Sequence, residues 1–132
     1  MRVAVLGGGM QGTACAYELC LSDDVEQVAI VDAYEAKAKQ SVEKAKLALR
    51  ASRLESRKIT DKVERLFKLS AHSVNVTQHS RLVSFLRDYD VAISAVPYFL
   101  NMGITKACID SGTHLVDMGG NTDVVFQQHT LD

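Results

Sequence analysis

No apolar run in this 132-residue chain approaches the roughly 20 residues that a membrane-spanning helix needs, so no membrane partner is expected. The apolar opening Val3–Leu6 runs straight into glycines and shows no signal-peptide cleavage pattern, which makes the expected location cytoplasmic. Cysteine is scarce and odd in number: Cys15, Cys20 and Cys108 fall in segments that read as helix, with no C-x-x-C spacing. A disulfide framework and a zinc site are both disfavoured, and reduced, buried thiols are expected. The four histidines, His72, His79, His114 and His129, show neither H-x-x-x-H nor H-E-x-x-H spacing, so no metal is expected. A strong charge balance is missing too, the net charge being −1. Within that balance, residues 35–68 hold eleven of the fifteen Lys and Arg. Those side chains are mixed with Glu43, Glu55, Asp61 and Glu64 and lack interleaved aromatics or glycine, as on a solvated helical face; no nucleic-acid partner is expected.

What is present is the composition of an ordinary folded domain, 47% hydrophobic and 23% charged, at a length that suits one core spanning 1–132. Arg2–Leu6 and Val28–Asp32 read as buried parallel strands, with a helix from Met10 to about Leu21 between them. A long helical stretch follows Asp32, in which Ala38, Val42, Ala45 and Leu49 recur at helical spacing and Ile59, Val63, Leu66 and Phe67 extend the pattern. A break is expected near Ser56 to Thr60, where Thr60 can cap a second helix and Asp61 suits its first turn. Ser73–Val76 reads as a third strand, Ser80 opens a helix with Leu82, Phe85, Leu86 and Tyr89 on one face, and Val91–Val96 is a fourth strand. Pro97 suits the first turn of the next helix, whose buried stripe is Leu100, Ile104, Ala107 and Cys108 and whose terminator is Gly112 in a left-handed conformation. Thr113–Met118 is a fifth strand, and Asn121 or Thr122 caps a last helix beginning near Asp123. Strict alternation of strand and helix predicts an α/β fold with an open parallel sheet and helices on both faces.

Gly7-Gly8-Gly9-Met10-Gln11-Gly12 satisfies G-x-G-x-x-G, a weak pattern by itself. Its context strengthens it: a buried strand precedes it, a helix opens on it, and Asp32 stands twenty positions after Gly12 at the end of the next strand. Gly7 permits the tight turn, Gly9 lets the backbone approach a diphosphate, and Gly12 allows close packing of helix on strand. Met10 and Gln11 begin the helix whose free N–H groups would face that diphosphate. Asp32 can accept hydrogen bonds from the adenosine ribose while repelling a 2′-phosphate. No Arg follows it, although Lys37 or Lys39 can curl back, and NAD is therefore expected over NADP. The predicted fold is thus Rossmann-type.

Ala95, Val96 and Pro97 leave the fourth strand beside the reversal of strand order, where such sheets bind ligands, and are expected to line the dinucleotide. Tyr98 and Asn101 either reach the nicotinamide or substrate or serve as packing. Gly119-Gly120-Asn121-Thr122-Asp123 lies at the same edge; its Asn121 and Asp123 either cap the last helix or face the reactive end of the cofactor.

In Val3–Gly12, Ser94–Asn101 and Val116–Asp123 the chain resembles the saccharopine dehydrogenase-like oxidoreductases, especially their lysine 6-dehydrogenase branch. The resemblance implies an NAD(P)-dependent enzyme of lysine metabolism, acting on the carbon–nitrogen bond of an amino acid such as lysine or saccharopine. It also implies that a sixth strand, the catalytic groups and a substrate domain follow Asp132, so the sheet is expected to be truncated before that strand and no catalytic residue is assigned. Self-association into a homo-oligomer stays open. The competing reading is a stand-alone NAD-sensing regulatory module, which shares the glycine motif and the acidic residue.

Overall fold

Along Arg2–Leu6 (β1) the side chains after the first are buried, yet alternate ones enter different cores. Val3 and Val5 join Ala16, Cys20, Val42 and Leu49 on one face of the sheet, while Ala4 and Leu6 join Leu82, Leu86 and Ile104 on the other. A strand sealed on both faces must be central, and β1 is central: the computed structural model, which describes residues 1–52 and 59–131 with the backbone alone at 59–62, has five parallel strands in the order β3-β2-β1-β4-β5. The others are β2 (Gln27–Asp32), β3 (Leu69–Ser73), β4 (Val91–Ser94) and β5 (His114–Asp117). Val3 sits opposite Val28 on one side and Val91 on the other, so the register carries the two-faced pattern across three strands.

Helices α1 (Met10–Leu21) and α2 (Glu35–Ala51) supply the residues that meet Val3 and Val5. The predicted stripe on α2, Ala38, Val42, Ala45 and Leu49, is buried throughout. Its small members let α2 close onto α1, where the buried Ser41 hydroxyl lies 2.6 Å from that of Thr13. Helices α4 (His79–Leu86) and α5 (Asn101–Ser111) cover the other face through Leu82, Leu86, Ile104, Ala107 and Cys108. Gly112 ends α5 at φ +74°, the left-handed geometry expected of it. A short α6 (Thr122–His129) packs on α5, its Gln128 amide donating to the Thr105 hydroxyl at 2.8 Å.

Three expectations need correction. The third strand is Leu69–Ser73 rather than Ser73–Val76, because its length is set by β2. Ser73 pairs with Asp32, the last residue of β2; Val74 N–H still reaches the Asp32 carbonyl, and Asn75 Oδ1 then accepts from the Thr77 N–H and hydroxyl, turning the chain away. Val74 and Val76 pack on the core as loop residues. In α3 (Ile59–Phe67) Leu66 packs inward, but Phe67 is 82% exposed and Val63 also faces outward. Pro97 stands one place ahead of a single 3-10 turn, Tyr98–Leu100, and α5 itself starts at Asn101. The proposed break with its Thr60 cap and Asp61 lies outside the described residues and side chains.

Burial pushes the Cys20 and Cys108 thiols up to about 11, with Lys68 opposing part of the rise at Cys20. Cys15 is only half-buried, so accessibility separates it from the other two. Near neutral pH a thiol-disulfide titrant should count one fast thiol in the native chain and three in guanidinium. Three fast native thiols would mean that neither core excludes water.

Candidate functional site

Where β1 ends, the chain must turn within a residue, and Gly7 does so at φ +115° with its N–H donating to the Val31 carbonyl at 2.7 Å. A Cβ there would stand 2.7 Å from the Ala95 carbonyl oxygen, so the loop after β1 lies directly against the end of β4. A Cβ on Gly12 would fall onto the Gly7 carbonyl oxygen; only a hydrogen side chain lets α1 start this close to the strand. Gly9 is different. Its added Cβ would meet nothing within 4 Å, and its conformation is one any residue adopts. Sterics inside the chain therefore do not explain Gly9.

Gly9 is the N-cap of α1 and has no side chain to accept from the first-turn N–H groups of Met10 and Gln11, and that turn carries no acidic residue. Orphan N–H groups and the positive end of the helix dipole then face the same open space, the arrangement that stabilises an anion. The expected diphosphate seat at Gly7, Gly9, Met10, Gln11 and Gly12 is therefore geometrically coherent. Gly8, not singled out in the sequence, has its own part: its N–H donates to Asp32 Oδ2 at 3.0 Å. Asp32 Oδ1 accepts from the Tyr34 N–H at 3.1 Å, and Lys37 Nζ lies 3.9 Å from Oδ2. The carboxylate of Asp32, mostly buried, thus bridges the glycine loop and the start of α2. Lys39, the other cation considered, is held by Glu35 at 2.6 Å, and that pairing holds the Glu35 carboxyl below its ordinary value.

These elements enclose a crevice of about 250 Å³ across the carboxyl ends of β1, β2 and β4. Gly9, Asp32, Lys37, Val96, Pro97 and Thr77 are among its walls. Ala95, Val96 and Pro97 line it just beyond β4, which ends at Ser94 rather than at the expected Val96. The wall from Asn75 to Thr77 was missed, since it follows β3 and β3 was misplaced. Ligand crevices in sheets of this order form at the strand-order reversal, here between β1 and β4. A larger cavity of about 600 Å³ lies between α1 and α2, lined by Ala14, Tyr17, Gln40, Lys44 and Ala48. It shares Gly8, Gly9 and Lys37 with the crevice but touches no strand end, so the smaller opening is the better-formed site for a nucleotide.

The second predicted cluster comes together differently. Asn101 is 3% exposed, and its Oδ1 accepts from the buried Ser94 hydroxyl at 2.7 Å, fastening α5 to the end of β4. The Asn101 side chain is thereby turned into the protein. Asn121 caps α6, its side chain accepting from the Val124 N–H at 3.1 Å. Asp123 is exposed in the first turn of that helix, where its charge suits the dipole. Tyr98 is half-exposed and its ring meets Phe99 edge-on. Asp117, given no role of its own in the sequence, organises this corner by accepting from the Gly119 N–H and the Gln128 amide, each at 2.8 Å. Among the described residues no three His, Cys, Asp or Glu side chains gather as a metal site, and no helix is long and apolar enough to cross a membrane.

Comparison with known proteins agrees with this geometry. The family model described as the saccharopine dehydrogenase NADP binding domain matches residues 3–131. Among solved structures, saccharopine dehydrogenase (L-Glu forming) from Saccharomyces cerevisiae superposes with a TM-score of 0.68 at 22% identity, covering 96% of this chain and 23% of that one. The 3-hydroxybutyryl-CoA dehydrogenase from Escherichia coli gives 0.67 at 15% identity, over 90% of this chain and 24% of that one. Malate dehydrogenase from Salinibacter ruber gives 0.62 at 14% identity, over 97% and 41%. These likenesses establish a Rossmann-like dehydrogenase fold, and the chain spans about a quarter of the length of the first two enzymes.

The glycines should separate by experiment. Gly12→Ala forces α1 away from β1 and should destabilise the fold by about 1–3 kcal/mol, lowering the melting temperature. Gly9→Val should cost at most the roughly 1 kcal/mol of a poorer N-cap, yet abolish NADH binding in a fluorescence titration. Full NADH affinity in Gly9→Val would remove the diphosphate from this loop.

Proposed function

The chain belongs to the family of saccharopine dehydrogenase NADP binding domains, and on that premise we propose that it is the cofactor half of an oxidoreductase acting on the carbon–nitrogen bond of an amino acid such as lysine or saccharopine. The observation that carries the proposal is the crevice itself, in which an uncapped helix start, an unobstructed Gly9 and a buffered carboxylate converge at the strand-order reversal. Bound there, a nicotinamide dinucleotide supplies or accepts the hydride. The residues of this chain bind and orient it: the start of α1 takes the diphosphate, Asp32 the adenosine ribose, and Val96 and Pro97 line the path toward the nicotinamide.

NAD is the proposed cofactor, although the family is described by NADP. An ionised carboxylate offers about four acceptor positions. The Gly8 and Tyr34 N–H groups use two, and Lys37 stands beside one oxygen, so acceptor capacity remains for ribose hydroxyls. The closer likeness to the lysine 6-dehydrogenase branch, resting on Ser94–Asn101 and Val116–Asp123, belongs to this proposal, as do a small-molecule amino-acid substrate and a cytoplasmic location. Tyr98, half-exposed beside Gly120, is the side chain this reading assigns to the nicotinamide edge.

Orienting a hydride donor against an amine-bearing carbon contributes on the order of 7–11 kcal/mol of barrier reduction and requires groups on both sides of the reacting atoms. This chain provides one side. By calorimetry it should bind NADH more tightly than NADPH, and it should form no NADH from NAD with lysine or saccharopine. A longer protein that carries this domain together with a substrate domain should do so. Dinucleotide binding without amino-acid oxidation in that longer protein would turn the reading to an NAD-sensing module, and absence of binding in both would end it.

A further inference from the structure

We propose that Lys37 is a specificity-determining residue of the crevice, whose ammonium offsets the Asp32 charge and keeps the discrimination against a 2′-phosphate small. The inference rests on the dinucleotide reading above and concerns one position of the ligand. Asp32 and Lys37 are the charged side chains among the described residues lining the crevice. Their charged atoms lie 3.9 Å apart. The carboxylate is nearly enclosed, with 11% of the side chain exposed, while the lysine is 54% exposed. An enclosed anion therefore meets an exposed cation at the place where, on the dinucleotide reading, NADH presents a hydroxyl and NADPH a phosphate.

Two features keep the pair in this state. Backbone donors from Gly8 and Tyr34 hold both oxygens of Asp32, so the carboxylate cannot retreat from an incoming phosphate. Lys37 lies in the first turns of α2, and its stem also lines the groove between α1 and α2, so the ammonium can reach either opening. Neighbouring cations do not substitute for it. Lys39 is engaged by Glu35, and Lys44 lines the larger groove two turns further along α2. A half-exposed pair at this distance adds little to folding, so Lys37 can be replaced without loss of the fold.

The chemistry predicts opposite signs for the two partners. Lys37→Ala leaves the carboxylate uncompensated and should raise the ratio of the NADPH to the NADH dissociation constant by about tenfold, the scale of one charge-assisted hydrogen bond. Lys37→Arg should restore the original ratio. Asp32→Asn keeps an acceptor for the Gly8 N–H, frees the ammonium, and should lower the ratio below that of the parent. In the double variant the two opposed effects should largely cancel and return the ratio near that of the parent, because the repelling anion and the compensating cation are both gone. Raising the salt concentration should shrink the Lys37→Ala effect, since the ammonium is exposed. Calorimetric titration of NADH and NADPH into the protein gives all five ratios, with thermal melts to confirm folding. A ratio that Lys37→Ala leaves unmoved, with both dinucleotides still bound, overturns this inference and spares the dinucleotide reading. Should Asp32→Asn fail to fold, the Lys37→Ala and Lys37→Arg pair decides alone. Failure of the parent to bind either dinucleotide overturns both.

Discussion

At the foot of α1 a helix and a strand meet backbone to backbone, and the missing Cβ of Gly12 makes that contact possible. The Gly7 carbonyl occupies the space a methyl group would need. Close approach there fixes where α1 begins, and so where its first-turn N–H groups point. It also sets how near the loop lies to β4: Gly7 stands against Ala95, which closes one side of the crevice. Moving α1 outward would open the loop, displace Gly8 from Asp32, and uncouple the start of α2 from the sheet. One steric constraint thus positions the open start of α1, the Asp32 carboxylate and the crevice wall together.

The electrostatics follow from the same arrangement. A carboxylate this enclosed needs donors, and two backbone N–H groups supply them, one from each loop it joins. Its remaining charge faces the crevice, where a single ammonium answers it. The basic excess of residues 35–68 has little share in this. Among the described cations there, Lys39 and Lys46 pair with Glu35 and Glu43 along α2, and Lys68 donates to the Cys20 and Ser22 carbonyls.

The inner strands and their helices were legible because their apolar patterns have no other use. Val3-Ala4-Val5-Leu6 and Val28-Ala29-Ile30-Val31 are buried on both faces, and nothing but a central parallel strand suits such runs. Leu69-Ser70-Ala71-His72-Ser73 carries no comparable pattern, since it is an edge strand held by hydrogen bonds to β2; its span depends on a neighbour about forty residues away in sequence. The glycine loop was legible because Gly7 and Gly12 answer local steric demands. Asn101 and Asn121 were not, because a polar side chain at the edge of a site looks the same in sequence whether it turns outward or inward. The Ser94 hydroxyl decides the first and the Val124 N–H the second, and both are tertiary or capping facts. Asp117 was read within Val116–Asp123 without a role of its own for the same reason, its part being to organise loops.

The bond from Gly8 to Asp32 joins two loops that elsewhere would have to be ordered by the ligand. Because the protein supplies that tie itself, arrival of a dinucleotide at the start of α1 requires little rearrangement of backbone, and the entropic penalty of recognition has been met during folding. Association at this end of the crevice is then governed by diffusion and charge rather than by loop closure, and affinity is expressed in how long the nucleotide stays.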